Sequence, residues 1–130
     1  RKAGRFAPKA WLFYSEKRIS HKEAQLDDQI YVYHAEMCKV FSHPKRLELI
    51  NTLRDKEMSA SGLGKKLGLA PGNLSQHLTM MKERRILISR KQGNMVYYRI
   101  ANLRILGAFD LLQEIMFEQI RKDATLLEMK

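Results

Sequence analysis

Apolar residues recur along this chain at two periods, and the change of period divides it. From residue 27 to 85 the spacing is helical. Ile30, His34, Met37, Cys38 and Phe41 fall three or four apart, one face of a helix that Asp27 and Asp28 open with negative charge at its N-terminus. Pro44 restricts His43 to extended backbone and starts a second helix at its first position. Leu47, Ile50 and Leu53 form its buried stripe, and Asp55 and Lys56 end it. Ser59 caps a short third helix holding Ala60, Leu63 and Leu67, in which Gly62 and Gly64 are poor interior residues. Gly68 supplies the left-handed turn that ends it. Pro71 opens a fourth helix running to about Arg85, with Leu74, Leu78 and Met81 facing inward. Ala70 stands where a capping side chain is usual, which costs this start about 1 kcal/mol.

The period then shortens. Residues 86–90 and 95–100 are rich in β-branched and aromatic side chains and read as strands, joined by a hairpin turn over Lys91–Asn94 in which Gly93 and Asn94 supply positive φ. Tyr97 and Tyr98 must point to opposite faces, one buried and the other partly exposed. Asn102 caps a last helix over residues 102–121, about 30 Å long, with Ile105, Phe109, Leu112, Met116 and Ile120 on one stripe widened by Leu106 and Leu111. So long an apolar stripe requires a partner surface. The expected fold is mainly α with a small β-hairpin, over residues 27–121. Residues 122–130 are the end of the last helix or a tail. Residues 1–26 form a basic extension whose Phe6, Trp11, Phe13 and Tyr14 suit packing on the body or on a second subunit better than a disordered tail.

Composition narrows the partner. Hydrophobic residues make up 45% of the chain, enough for a core without metal or disulfide staples. No apolar run approaches a membrane span, and residues 1–26 lack the uninterrupted apolar stretch of a secretory signal. Cys38 is the only cysteine, which fits a reducing cytoplasm. The net charge of +10 is concentrated in two blocks. Residues 1–26 carry seven Lys or Arg against two Glu, and residues 71–99 carry six against Glu83 alone. A polyanion is the natural partner of such blocks.

Helix, Gly-containing turn, helix and basic hairpin, in that order, make a winged helix-turn-helix. The third helix braces the fourth. The fourth presents Gly72, Asn73, Ser75, Gln76, His77 and Thr79 on its outer side, short polar groups suited to base edges in the major groove of double-stranded DNA. Gln76 is the best candidate for adenine readout and Asn73 the second. Lys82 suits phosphate, and Arg90 and Lys91 sit where a wing meets the neighbouring backbone or minor groove. A protein–protein module with a basic face is the competing use of such a fold, and the polar character of Asn73, Ser75 and Gln76 argues against it. No catalytic constellation emerges, so an enzyme is not expected.

Residues 28–121 resemble the ArsR/SmtB-type repressors. Phe41–Leu53 reads F-S-H-P-K-R-L-E-L-I-N-T-L, similar to the family's opening L-S-D-P-T-R-L-x-I-L-x-x-L. Leu63–Leu69 resembles its first motif helix, Leu74–Leu78 (L-S-Q-H-L) its recognition-helix pattern V-S-x-H-L, and Gly93–Tyr98 the wing's G-x-x-x-Y-Y. The family usually has Glu where this chain has Gly62, and commonly Gly where it has Arg85. The resemblance implies a homodimer whose first and last helices form the interface, two recognition helices on a palindromic operator, and repression released by an effector.

The family's usual metal positions are changed here. Members that sense soft metals carry two cysteines in the first motif helix, where this chain reads Met58-Ser-Ala-Ser61. Members with a site on the last helix open it with Asp-x-His, where this chain reads Asn102-Leu-Arg104 with no later His. Arsenite prefers three thiolates, and a dimer of this chain offers two. No cofactor is therefore expected at these positions. His34 and Cys38, one helical turn apart, leave three readings: a metal pair completed by His43 or a second subunit, a redox-sensing thiol activated by a nearby His, or a small buried hydrophobe in the dimer-forming helix with a satisfied neighbour.

Overall fold

The computed structural model describes residues 21–128, with side chains from Asp27 onward except at positions 126 and 127. The aromatic residues of the N-terminal extension lie outside that range. The chain divides into two units, the first ending at Lys39 and the second beginning at Val40.

The described part of the first unit is α1 (His21–Val40), whose last residue, Val40, belongs to the second. Asp27 and Asp28 lie inside this helix and do not open it. The residues before them, His-Lys-Glu-Ala-Gln-Leu, include several strong helix formers. Ile30, His34, Met37 and Cys38 lie on one face, as their spacing requires, and all are exposed. Cys38 is exposed in the single chain, so any burial of its thiol would have to come from a second copy. Tyr31, Val32 and Tyr33 are exposed as well, Tyr31 to 75%.

The second unit contains α2 (Pro44–Thr52), β1 (Met58–Ser59), α3 (Ala60–Leu67), α4 (Pro71–Glu83), β2 (Leu87–Gln92), β3 (Met95–Ile100) and α5 (Ile105–Glu128). The caps follow local chemistry. Pro44 occupies the first turn of α2, and His43 before it is extended, with Nδ1 accepting the Lys45 amide at 3.1 Å. Ser59 Oγ accepts the Gly62 amide at 3.1 Å, and Gly68 closes α3 at φ 65°. Ala70 offers α4 no side-chain cap. The α2 stripe differs from expectation: Leu49 joins Ile50 and Leu53 in the core, while Leu47 is half-buried. Both α3 and α4 pack on α2, so a wider arc of this short helix is covered than a single face.

The core gathers Val40, Leu49, Ile50, Leu53, Leu63, Leu74, Leu78, Met81, Ile86, Leu87, Ile100 and Phe109, with Leu67 at its edge. Fully burying side chains of this kind stabilises by roughly 1.5–3 kcal/mol each. The antiparallel sheet has the order β1-β3-β2. Its third strand was not expected, because two residues are too few to show a period. The β2–β3 hairpin turns on Gly93 and Asn94 alone, with Gln92 opposite Met95. Only Gly93 has positive φ, at 61°, the pattern of a type II′ turn with Gly first. Tyr97 and Tyr98 are both half-buried, so neither is the fully buried member expected. Tyr98 packs against the core, and Tyr97 lies under a guanidinium.

Helix α5 begins later and ends later than its stripe suggests. Asn102 Oδ1 accepts the Arg104 amide in a preceding turn, and the helix proper runs 24 residues, about 36 Å. Phe109 is its buried anchor, with Ile105 and Leu106 half-buried. Arg54, in the turn just after α2, donates both Nη groups to Asp110, at 2.6 and 2.7 Å, and its guanidinium lies 5.9 Å from the Phe109 ring centroid. Beyond this point Leu111, Leu112, Ile115, Met116, Phe117 and Ile120 are exposed.

Candidate nucleic-acid interface

Helix α4 is held from one side. Leu74, Leu78 and Met81 are at most 3% exposed, which fixes the helix's rotation about its own axis. Gly72, Asn73, Ser75, Gln76, Thr79 and Lys82 are exposed on the rest of its circumference. Gly64 lets the turn between α3 and α4 close tightly. A Cβ there would stand 3.3 Å from the Leu69 carbonyl oxygen, closer than side chains usually come, and in ordinary contact at 3.4 Å with Leu74 Cδ2. The glycine that looked like a weak point of α3 makes room for the turn between the two motif helices.

His77 does not share the exposure of its neighbours. It is half-buried, its ring centroid lies 4.5 Å from that of His43, and Arg46 Nη1 lies 3.3 Å from its Nδ1. Arginine can only donate, so this Nδ1 accepts and the ring proton sits on Nε2. Burial, and then the positive charges of His43 and Arg46, hold the imidazole below its usual pKa. Arg46 also donates Nε to the Val40 carbonyl at 2.7 Å. His77 thus joins α4 to the start of α2. No motif rule foretold this link, because Arg46 is 31 residues away.

The end of α4 departs from the expected Arg85. The helix stops at Glu83, with Arg84 as C-cap, and Arg85 takes φ 60°. The Arg85 amide donates to the Lys82 carbonyl at 3.0 Å and the Ile86 amide to the Met81 carbonyl at 2.9 Å. This is a Schellman closure built on a non-glycine residue, with buried Ile86 and Met81 as its hydrophobic pair.

On the wing, Lys91 is exposed and makes no ion pair with another described residue. Arg90 is engaged. Its Nε lies 2.9 Å from both carboxylate oxygens of Glu57, its Nη2 2.6 Å from Oε1, and its Nη1 donates to Gln92 Oε1 at 2.6 Å. Its guanidinium lies 4.7 Å from the Tyr97 ring centroid. Sequence reasoning placed Arg90 on the wing and missed Glu57, 33 residues earlier. Of the candidate sensor residues, His34 and Cys38 stand exposed on α1, and His43 turns Nδ1 to its own helix cap. No three His, Cys, Asp or Glu side chains gather into a metal-binding group among the described residues. Among the same residues no helix is long and apolar enough to cross a membrane.

A braced helix pair with a β-hairpin behind it defines a winged helix-turn-helix domain. A homodimeric winged helix-turn-helix DNA-binding domain from Mycobacterium bovis, described as a possible ArsR-family transcriptional regulator, has this fold, with a TM-score of 0.65 and 25% identity over 81% of this chain and 94% of that one. Residues 43–89 match the family described as "Bacterial regulatory protein, arsR family". The transcriptional repressor PagR of Bacillus anthracis is 34% identical over 82 residues, 62% of this chain and 82% of PagR. The nodulation protein NolR of Rhizobium meliloti is also 34% identical, over 52% of this chain and 57% of NolR, less than two thirds of that protein's length. The chain belongs to the arsR family of bacterial regulatory proteins.

Proposed function

We propose that this chain is a homodimeric DNA-binding transcriptional regulator, a repressor that releases a palindromic operator when an effector binds. The observation that carries the reading is the division of α4. A rotationally locked apolar stripe presents Asn73, Ser75, Gln76 and Thr79 together on an exposed edge, with Lys82 toward the other end of the helix. Side chains of this kind read base edges, and cations at the margin meet phosphate. His77 and Arg90 serve that surface from behind, since their polar atoms face Arg46 and Glu57. The second copy has a surface to cover. On α5 six apolar side chains stand exposed, and on α1, taken by itself, so do Ile30, Tyr31, Val32, Tyr33 and Met37; grouped exposed apolar residues of this kind mark association faces. The Mycobacterium bovis relative is a homodimer, and PagR is a repressor.

The test is enrichment of duplexes from a random pool by the wild-type chain, followed by titration of the enriched duplex with wild type and Gln76→Ala. The wild type should select a palindrome and lose affinity steeply with salt, by about 0.9 in log–log slope per phosphate neutralised. Gln76→Ala should relax preference at one position in each half-site by roughly 1–3 kcal/mol while melting as the wild type does. A pool that stays unenriched, with weak sequence-indifferent binding even at low salt, overturns the reading.

A further inference from the structure

The cluster of Glu57, Arg90, Gln92 and Tyr97 joins β2 and β3 to the residue just before β1. Ser59 pairs with Tyr97 across β1 and β3, and Tyr97 pairs with Arg90 across β3 and β2. Glu57 lies two residues before Ser59, hence on the same face of the sheet as Tyr97 and Arg90. Ser59 is also the N-cap of α3, so Glu57 sits on the segment that leads directly into the helix-turn-helix. We infer that Glu57 and Arg90 are positioning residues for DNA binding: a fork over the Tyr97 ring that sets the angle of the wing against the reading helices, with Arg90 itself not a phosphate contact. The inference rests on the DNA-binding reading above.

The donor geometry supports it. A guanidinium has five N–H groups in a rigid plane. Here Nε and Nη2 address one carboxylate and Nη1 addresses Gln92, while the Tyr97 ring lies against one face. Three of the five N–H groups are thereby committed within the sheet, so a phosphate would meet only the two that remain, on a guanidinium whose plane the carboxylate and the ring already fix. The backbone pairing of β1 with β3 joins the hairpin to the segment that enters α3, and the Glu57 side-chain contacts extend that tie across β3 to β2. Only a planar fork makes them, so lysine cannot substitute. Hydrogen bonding from Arg90 also holds the Glu57 carboxyl below its usual range, so the fork stays ionised through neutral pH.

Simple charge arithmetic predicts the opposite of positioning, and this makes the inference testable. Removing the Glu57 charge should strengthen attachment to a polyanion if Arg90 is a phosphate hand that Glu57 restrains. Under the inference Glu57→Gln weakens binding to the enriched duplex, by about tenfold, within the range for residues of one network. Arg90→Gln weakens it similarly, Arg90→Lys fails to rescue, and the log–log salt slope stays at the wild-type value in all three. The double variant Glu57→Gln/Arg90→Gln is no weaker than either single variant. Amide exchange without DNA reads the same fork: β1–β3 amides at residues 58–60 and 96–98 should exchange faster in Glu57→Gln. Tighter binding by Glu57→Gln, rescue by Arg90→Lys, or a slope reduced by about 0.9 in Arg90→Gln would overturn it. Unchanged amide exchange would overturn it without reference to DNA. If the wild type binds no duplex while exchange responds as described, the DNA-binding reading has failed and the fork stands only as a structural brace, which also overturns the inference.

Discussion

Arg85 is the residue at which backbone geometry and side-chain chemistry most plainly disagree. The Schellman closure of α4 requires left-handed backbone at this position, and Arg85 adopts φ 60° to supply it. For a residue with a Cβ that conformation costs about 1–2 kcal/mol, which glycine avoids. Glycine in turn gives back about 0.4–1 kcal/mol through the greater freedom of its unfolded chain. The Arg85 side chain is exposed and makes no hydrogen bond or ion pair with another described residue, so little else is lost. Arg85→Gly should therefore stabilise the domain by about 0.5 kcal/mol, a rise of roughly 2–4 °C in Tm at the scaling for a domain of this size. Arg85→Val, with branching at Cβ, should destabilise by about 1 kcal/mol. Arg85→Ala should fall between the two. Urea denaturation at one fixed protein concentration measures the series, and the fixed concentration removes any contribution from association. An unchanged m-value with the order Gly, Ala, Val from most to least stable supports the account. A glycine variant less stable than the parent would refute it, and would mean that the arginine side chain contributes more than the strain costs.

Two further outcomes follow from the geometry. His77 is favoured in its neutral form by burial and by the charges of His43 and Arg46, so its folded pKa lies below its unfolded value of about 6.5. Its contribution to stability is complete above that value and is lost as the pH falls through the folded pKa. Wild type should lose stability as the pH falls below about 6.5. His77→Gln should flatten that part of the profile, and the fall at lower pH, where the Arg-paired Asp110 and Glu57 protonate, should remain. An identical profile in the variant would remove His77 from the account. On the proposed dimer, Phe117→Asp should move sedimentation toward monomer, because Phe117 is 58% exposed in the single chain and most of its surface is open to a partner. A variant that sediments as the wild type does would show that this face is not the interface.

What the sequence determined by itself was local. Pro44 and Pro71 at helix starts, Ser59 as a cap, Gly68 and Gly93 at left-handed positions and the inward stripe of α4 all depend on residues within a few positions of one another. Such rules act on the backbone directly, so they can be read before any packing is known. The reading edge of α4 followed from the same periodicity. Tertiary structure decided what periodicity cannot carry. It buried Leu49 by packing two helices on α2, added β1 from two residues, and made Gly64 the point where the turn between the motif helices closes. It also gave His77 and Arg90 partners, Arg46 and Glu57, that their positions did not suggest. Those partners are 31 and 33 residues distant in sequence, and Asp110 is 56 from Arg54. An ion pair or a strand pairing leaves no periodic trace in either segment, because neither partner's neighbours need change for it to form. The division within α4 was therefore legible in the chain, while the supports that hold α4 and the wing at their working angle exist only once the chain has folded.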